Sequence, residues 1–239
     1  FIVYSTWAAF VGKYYHLQGL GMPDYLSPFY SPELFGDPKF AWFGGKPGWI
    51  PAWLPFSPAL LILWAPGGFR FTCYYYRGAY YKAFWADPIS CAVGEPRKGY
   101  WGEHSLPLIL QNIHRYFMYL ALAFLVLLTW DVLKATQFTD ALGKTHFGIG
   151  VGTIIMAVNV CLLSGYTFGC HSLRHLIGGH RDEISKAPGA CQKAYDCVGC
   201  LNKRHMLFAW CSLFTVGFTD LYIRLCCMGI WQDHFWSFH

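Results

Sequence analysis

The sequence predicts an all-α, polytopic membrane fold in which residues 1–239 form one domain, a five-transmembrane-helix bundle with an irregular extracytoplasmic cap. Three observations carry that expectation. Apolar residues make up 55% of the chain and charged residues only 13%, well below the charge content of soluble domains. Several stretches approach the roughly 20 apolar residues that cross a hydrocarbon core. The basic residues collect in two of the connections between those stretches.

The first span, about 1–18, reads FIVYSTWAAFVGKYYHLQ. It starts without Met, so the natural N-terminus is expected upstream, and it is too long and aromatic for a signal peptide. The stretch that follows, GLGMPDYLSPFYSPELFGDPKFAWFGGKPGWIPAWLPF, has neither a helical nor an alternating period. It reads as a cap on the membrane surface, where Trp and Tyr are stable. The second span, about 57–86, is interrupted by Arg70, Arg77 and Lys82, and Pro66-Gly67-Gly68 is expected to kink or break it. The third (about 106–134), fourth (about 147–177) and fifth (about 205–231) are long apolar runs.

Charge sets the orientation. Arg97 and Lys98 follow span two, and Arg181, Lys186, Lys193, Lys203 and Arg204 follow span four, whereas the opposite side carries Lys39, Lys46 and Lys144. The positive-inside rule puts loops 86–105 and 178–204 in the cytoplasm. The net charge of +5 follows from this asymmetry and calls for no nucleic acid.

That orientation sorts the Cys and His residues by depth. Cys73, Cys91, His114, Cys170, His171, His175 and His205 gather toward the cytoplasmic face, and His16, His146, His234 and His239 fall at the outer end. Cys161, Cys211, Cys226 and Cys227 are scattered along helices as small apolar fillers. A single His at a helix end can simply bond a carbonyl or snorkel to water. The inner set points further. His171 and His175, four residues apart, share one helical face, where two imidazoles reach one metal or one cofactor. Arg70 and Arg77 flank Cys73 at i−3 and i+4 and favour its thiolate, the form a metal needs. Disulfides are not expected on a reducing cytoplasmic side. In the loop after span four, Cys191, Cys197, Cys200 and His205 have ordinary zinc-ligand spacing, against the plainer reading of a reduced surface loop touching a partner. Asp220 and Arg224, four apart in span five, are expected to neutralise one another as scaffold.

The stretches FRFTCYYYRGAYYKAFW, DPISCAVGEP, PLILQNIHRYFMYLAL, CHSLRHLIGG and LNKRHMLFAWCSLFTVGFTDLYIRL resemble the membrane-anchor subunit of actinobacterial succinate dehydrogenase, respiratory complex II. TCYYYR and QNIHRYF are the most specific of them. The resemblance covers nearly the whole chain from span two onward. It implies a five-helix anchor in the bacterial plasma membrane that docks a flavoprotein and an iron–sulfur subunit on the cytoplasmic face. It further implies transfer of succinate-derived electrons to a membrane quinone, with succinate oxidation on a partner subunit. Higher oligomers of the complex are compatible with it.

The better-known five-helix members hold two haems b, each between His residues of two helices. Here the outer pair would have to be His16 and His146, at extreme helix ends, so a pair of haems is not expected. One inner haem b on His114 with His171, His175 or His205 stays open, but it leaves Cys73 and Cys91 unused. Two Cys and two His at the end of an electron chain suggest instead a Rieske-type [2Fe-2S] centre, in which His replaces Cys on one iron and raises the potential. The expected metal ligands are Cys73 and Cys91 with two of His114, His171 and His175, and Cys170 stands in reserve. Zinc could take the same set, yet it passes no electrons. The chain would then be a zinc-binding transporter or structural membrane protein, although no internal repeat or paired broken helices of transporter type are evident. Tyr76, Arg77 and Arg115 are expected to offer donors to the quinone carbonyls.

Overall fold

The computed structural model describes residues 1–19, 22–38, 41–51, 53, 56–76, 109–139, 144–178 and 188–238. Helices α1 (Ile2–Val11), α2 (Pro58–Ile62), α3 (Trp64–Thr72), α4 (Ile109–Lys134), α5 (Val151–Phe168), α6 (His171–Gly178), α7 (Gly189–Lys203) and α8 (His205–Cys227) dominate them. Among the described residues, three helical segments are long and apolar enough to cross a membrane: Ile113–Lys134, Val151–Phe168 and His205–Cys227, of 22, 18 and 23 residues. At about 1.5 Å per residue they match a hydrocarbon core of about 30 Å. α4 contains neither Pro nor Gly and is rich in Leu, a strong helix former. α5 packs along α8, and α4 packs against both α3 and α5. Apolar side chains such as Val126, Trp130, Ile154, Phe214 and Phe218 stay exposed on these helices, as lipid-facing residues must.

The expected count of five spans is not confirmed among the described residues: 77–86 of span two lie outside them, and the other departures have local causes. Span one is not one helix of 18 residues. α1 has 10 residues, about 15 Å, and ends at Gly12, whose φ of 60° is left-handed, the ordinary helix stop. The chain then enters strand β1 (His16–Leu17). Span two divides into α2 and α3, joined at Leu63, and α3 stops at Cys73, whose backbone is extended. Pro66-Gly67-Gly68, the expected break, lies inside α3. Pro66 falls in the first turn, where its missing N–H removes no helical bond. Gly68 is needed there because a Cβ would stand 2.2 Å from the Phe117 ring, so α3 and α4 approach closely at this point. Span four also divides. Residues 147–150 belong to a strand, α5 ends at Phe168, and His171 opens the separate helix α6. Loop 178–204 is helical from Gly189 onward.

The fold is mostly helical, and the cap at the opposite end is only partly irregular. Strands β1 and β2 (Tyr25–Leu26) pair antiparallel, with His16 opposite Leu26. A second antiparallel sheet has the order β3 (Gln137–Thr139), β4 (Thr145–Gly150), β5 (Phe235–Phe238). Beneath the cap, Arg224 donates to Asp220 at 2.7 Å and to the carbonyls of Ala8 and Lys13. Asp220 also accepts from Tyr4 and Ser27. The expected pair is therefore present, and it ties α8 to α1 and the cap.

Candidate electron-transfer site

The end of the bundle away from the sheets holds a buried cluster of thiols and imidazoles. Four elements supply it: the C-cap of α3 (Cys73), the second turn of α4 (His114), the link between α5 and α6 (Cys170) and the first residue of α8 (His205). Cys73 is 3% exposed, His114 5% and Cys170 2%, so water has little access to any of them. Cys73 and Cys170 belong to one packed core with Phe69, Tyr76, Met118, Ala121, Tyr166 and Ala209.

His114 is held by a ring stack on one face and by contacts at both nitrogens. Its ring stacks on Phe69 at 4.7 Å, Nδ1 lies 2.8 Å from Thr72 Oγ1, and Nε2 lies 3.0 Å from Cys170 Sγ. Thr72 Oγ1 is also 2.7 Å from the carbonyl of Gly68, to which it can only donate. With that hydrogen committed, the Thr72 oxygen accepts from His114 Nδ1–H. The proton then sits on Nδ1, and the Nε2 lone pair faces the Cys170 sulfur. Metal-binding histidines are oriented by such a bond on the remote nitrogen. The second pair mirrors the first: His205 Nε2 lies 3.5 Å from Cys73 Sγ, and its ring stacks on Tyr166 at 4.9 Å.

Of the five expected metal ligands, Cys73 and His114 stand in this cluster. Cys91 lies outside the described residues. His171 and His175 both fall on α6 and are exposed. The reserve thiol Cys170 and His205 fill the remaining places. Among the described residues, no three metal-donor side chains meet at one point; the contacts are two sulfur–nitrogen pairs. The Cys191, Cys197 and Cys200 set runs along α7, with Cys197 and Cys200 exposed, while His205 turns to Cys73.

Of the expected quinone donors, Tyr76 gives its hydroxyl to the Ala209 carbonyl at 2.6 Å and accepts from Arg70 Nη1 at 2.8 Å. Arg115 is exposed on α4, and Arg77 lies outside the described residues. Sequence reasoning passed over Thr72 and Tyr166. Two signals were available: Thr72 adjoins Cys73, and Tyr166 precedes Cys170 by four residues, one helical turn.

At the far end, His16 Nε2 bonds Asp24 Oδ1 at 2.6 Å, and Nδ1 lies 3.6 Å from Glu33. Burial alone would lower the His16 pKa, but those two carboxylates outweigh it and raise it to about 9. His146 sits on β4, opposite Phe138.

Residues 1–229 match the family described as actinobacterial succinate dehydrogenase subunit SdhC. The chain belongs to that family. It is accordingly a subunit of the succinate dehydrogenase complex and resides in the bacterial plasma membrane. The Mycobacterium smegmatis Sdh1 complex in the apo form contains a chain 41% identical in sequence. The match has a TM-score of 0.80 and covers 100% of this chain and 86% of that one. No curated protein matches. In this SdhC-family subunit, the Cys/His cluster is the one place among the described residues where buried soft ligands from several elements converge.

Proposed function

We propose that this subunit anchors the flavoprotein and iron–sulfur subunits of succinate dehydrogenase, and that it passes their electrons to a membrane quinone through a Rieske-type [2Fe-2S] centre. The observation that carries the proposal is the double pairing of His114 with Cys170 and His205 with Cys73 inside one buried core. Two thiols and two imidazoles are the donor set of such a centre. The thiolates come from Cys73 with Cys91 or Cys170. The imidazoles come from His114 with His205, His171 or His175. When bound, the centre supplies one-electron transfer at the raised potential that histidine ligation gives, which suits delivery to quinone.

The protein's own part is orientation and exclusion. Thr72 fixes the His114 tautomer, Phe69 and Tyr166 cover the two imidazole rings, and the packed core keeps water from the sulfurs. The basic loops 86–105 and 178–204 support a cytoplasmic position for this end, where the soluble subunits dock. A single haem b clamped by His114 and His205 is the rival reading. Each imidazole, however, faces a sulfur at 3.0 or 3.5 Å, an arrangement a haem would not use.

The test replaces His114 with Ala in the assembled complex and compares two activities. Quinone reduction should fall at least about 100-fold, as when an essential redox link is cut, while an artificial dye that draws electrons from the soluble subunits continues to be reduced. Undiminished quinone reduction in His114→Ala would contradict the proposal.

A further inference from the structure

Arg70 and Arg224 both reach into the bundle, and they are neutralised differently. Arg224 is paired with the Asp220 carboxylate at 2.7 Å. Arg70, in the last turn of α3, donates from Nη1 to the Tyr76 hydroxyl and the Ala209 carbonyl, and from Nη2 to Ser212 Oγ. All three acceptors are neutral, and among the described residues no carboxylate pairs with it.

Ala209 and Ser212 are the fifth and eighth residues of α8, about 6 and 10 Å along that helix from its inner end, so the guanidinium is held inside the span. A snorkelling arginine would reach out to water, and a capping one would bond the last carbonyls of its own helix. Arg70 does neither. A cation kept inside a membrane without an anion is costly, so its position calls for negative charge nearby.

The anion this chain can supply is sulfur. Cys73 follows Arg70 by three residues, and the Tyr166 side chain links the two. The guanidinium lies 4.7 Å over the Tyr166 ring, and the Tyr166 hydroxyl meets the Cys73 sulfur. His205, whose Nε2 faces Cys73, stacks on the same ring.

Resting on the iron–sulfur reading above, we propose that Arg70 is the counter-charge of the Cys/His centre and sets its reduction potential. One electron arrives from the iron–sulfur partner and passes on to the quinone, while Arg70 is neither oxidised nor reduced and exchanges no proton. A fixed positive charge favours the form that carries the extra electron, and in a buried core salt screens it little. Cluster potentials respond to net charge and to hydrogen bonds on sulfur. Arg70 supplies the charge, and Tyr166, against which it packs, supplies the bond. The raised potential then has a second source besides histidine ligation.

Three variants of the intact complex test it, with the midpoint of the histidine-ligated [2Fe-2S] signal read by electron paramagnetic resonance. Arg70→Gln removes the charge and keeps a donor. Ser212→Asp leaves Arg70 in place and turns its Nη2 bond into an ion pair like that of Arg224 with Asp220. Each should make reduction of the centre about tenfold less favourable, a midpoint about 59 mV lower for one electron. Arg70→Lys keeps the charge and should stay near the unsubstituted midpoint.

A midpoint unmoved in either Arg70→Gln or Ser212→Asp, with the signal intact, overturns the proposal and leaves the relay reading standing. So does a midpoint that falls as far in Arg70→Lys as in Arg70→Gln, which assigns the effect to the shape of the guanidinium. Iron lost from Arg70→Gln and Ser212→Asp yet kept in Arg70→Lys supports the proposal, because the charge that favours the added electron also favours the bound thiolates. Iron lost from all three overturns it. A complex that shows no such signal before any substitution removes the relay reading, and the proposal with it.

Discussion

At His114 one hydroxyl decides which nitrogen is available. Thr72 donates to Gly68 and accepts from Nδ1, so Nε2 is left to face a sulfur or a metal. Thr72→Val keeps the shape and removes the acceptor. Loss of such an orienting partner typically weakens metal binding about 10- to 100-fold, so iron per complex should fall while Thr72→Ser retains it. Equal iron in the Val and Ser variants would remove Thr72 from the site. His16 gives a second prediction, at the other end of the molecule. Its pKa is raised from 6.5 to about 9, so its bonds to Asp24 and Glu33 stabilise fully below 6.5 and are lost as pH climbs through 9. Thermal stability of the complex in nanodiscs should decline across that window, and His16→Gln should flatten the decline. An unaltered decline in the variant would assign the pH dependence to other groups. At this scale the sequence revealed chemistry better than position. Cys73 and His114 were identifiable from residue type and depth, whereas the choice between His205 and the 171/175 pair depends on where α5 stops.

The helices show where sequence patterns lose their force. Three long apolar runs could be read as α4, α5 and α8 because uninterrupted hydrophobicity over 18 or more residues fits a membrane span better than any soluble element. Over residues 1–18 the same apolar signal covers more than one element, since Gly12 closes α1 and the chain turns into β1. At CHSLRH the run continues past Gly169, where the helix does not. The strands escaped notice because pairs such as His16–Leu17 are shorter than any alternation test can register. Pro66 shows how position within an element matters more than residue type: an interior proline breaks a helix, and a first-turn proline begins one. The close approach of α3 and α4 at Gly68 brings Thr72 to His114. Gly68→Ala forces Phe117 to move from a position 2.2 Å away, and overpacking of this kind costs about 1–3 kcal/mol. A lowered thermal midpoint, recovered in part by Phe117→Leu, is the expected result. A midpoint unchanged by Gly68→Ala would mean that the two helices are not held tightly there.

Across the whole molecule the two ends divide the labour. The sheets, the His16 carboxylate group and the Arg224–Asp220 network brace one end, and the other gathers sulfur and imidazole from four elements. Buried polar groups in a membrane persist only where partners satisfy them. Arg224 meets that condition fully through Asp220 and two backbone carbonyls, which suits a scaffold. At the other end His205 Nε2 faces the Cys73 sulfur, and His114 Nε2 faces that of Cys170. The central claim is that an iron–sulfur centre with histidine ligands occupies this end. Electron paramagnetic resonance of the purified complex, titrated through its redox potential, addresses it most directly. The expected result is a signal of the histidine-ligated [2Fe-2S] type, at higher potential than the clusters of the iron–sulfur partner, absent from His114→Ala. Zinc or haem b in this subunit without such a signal, or a signal that survives His114→Ala, would contradict the account.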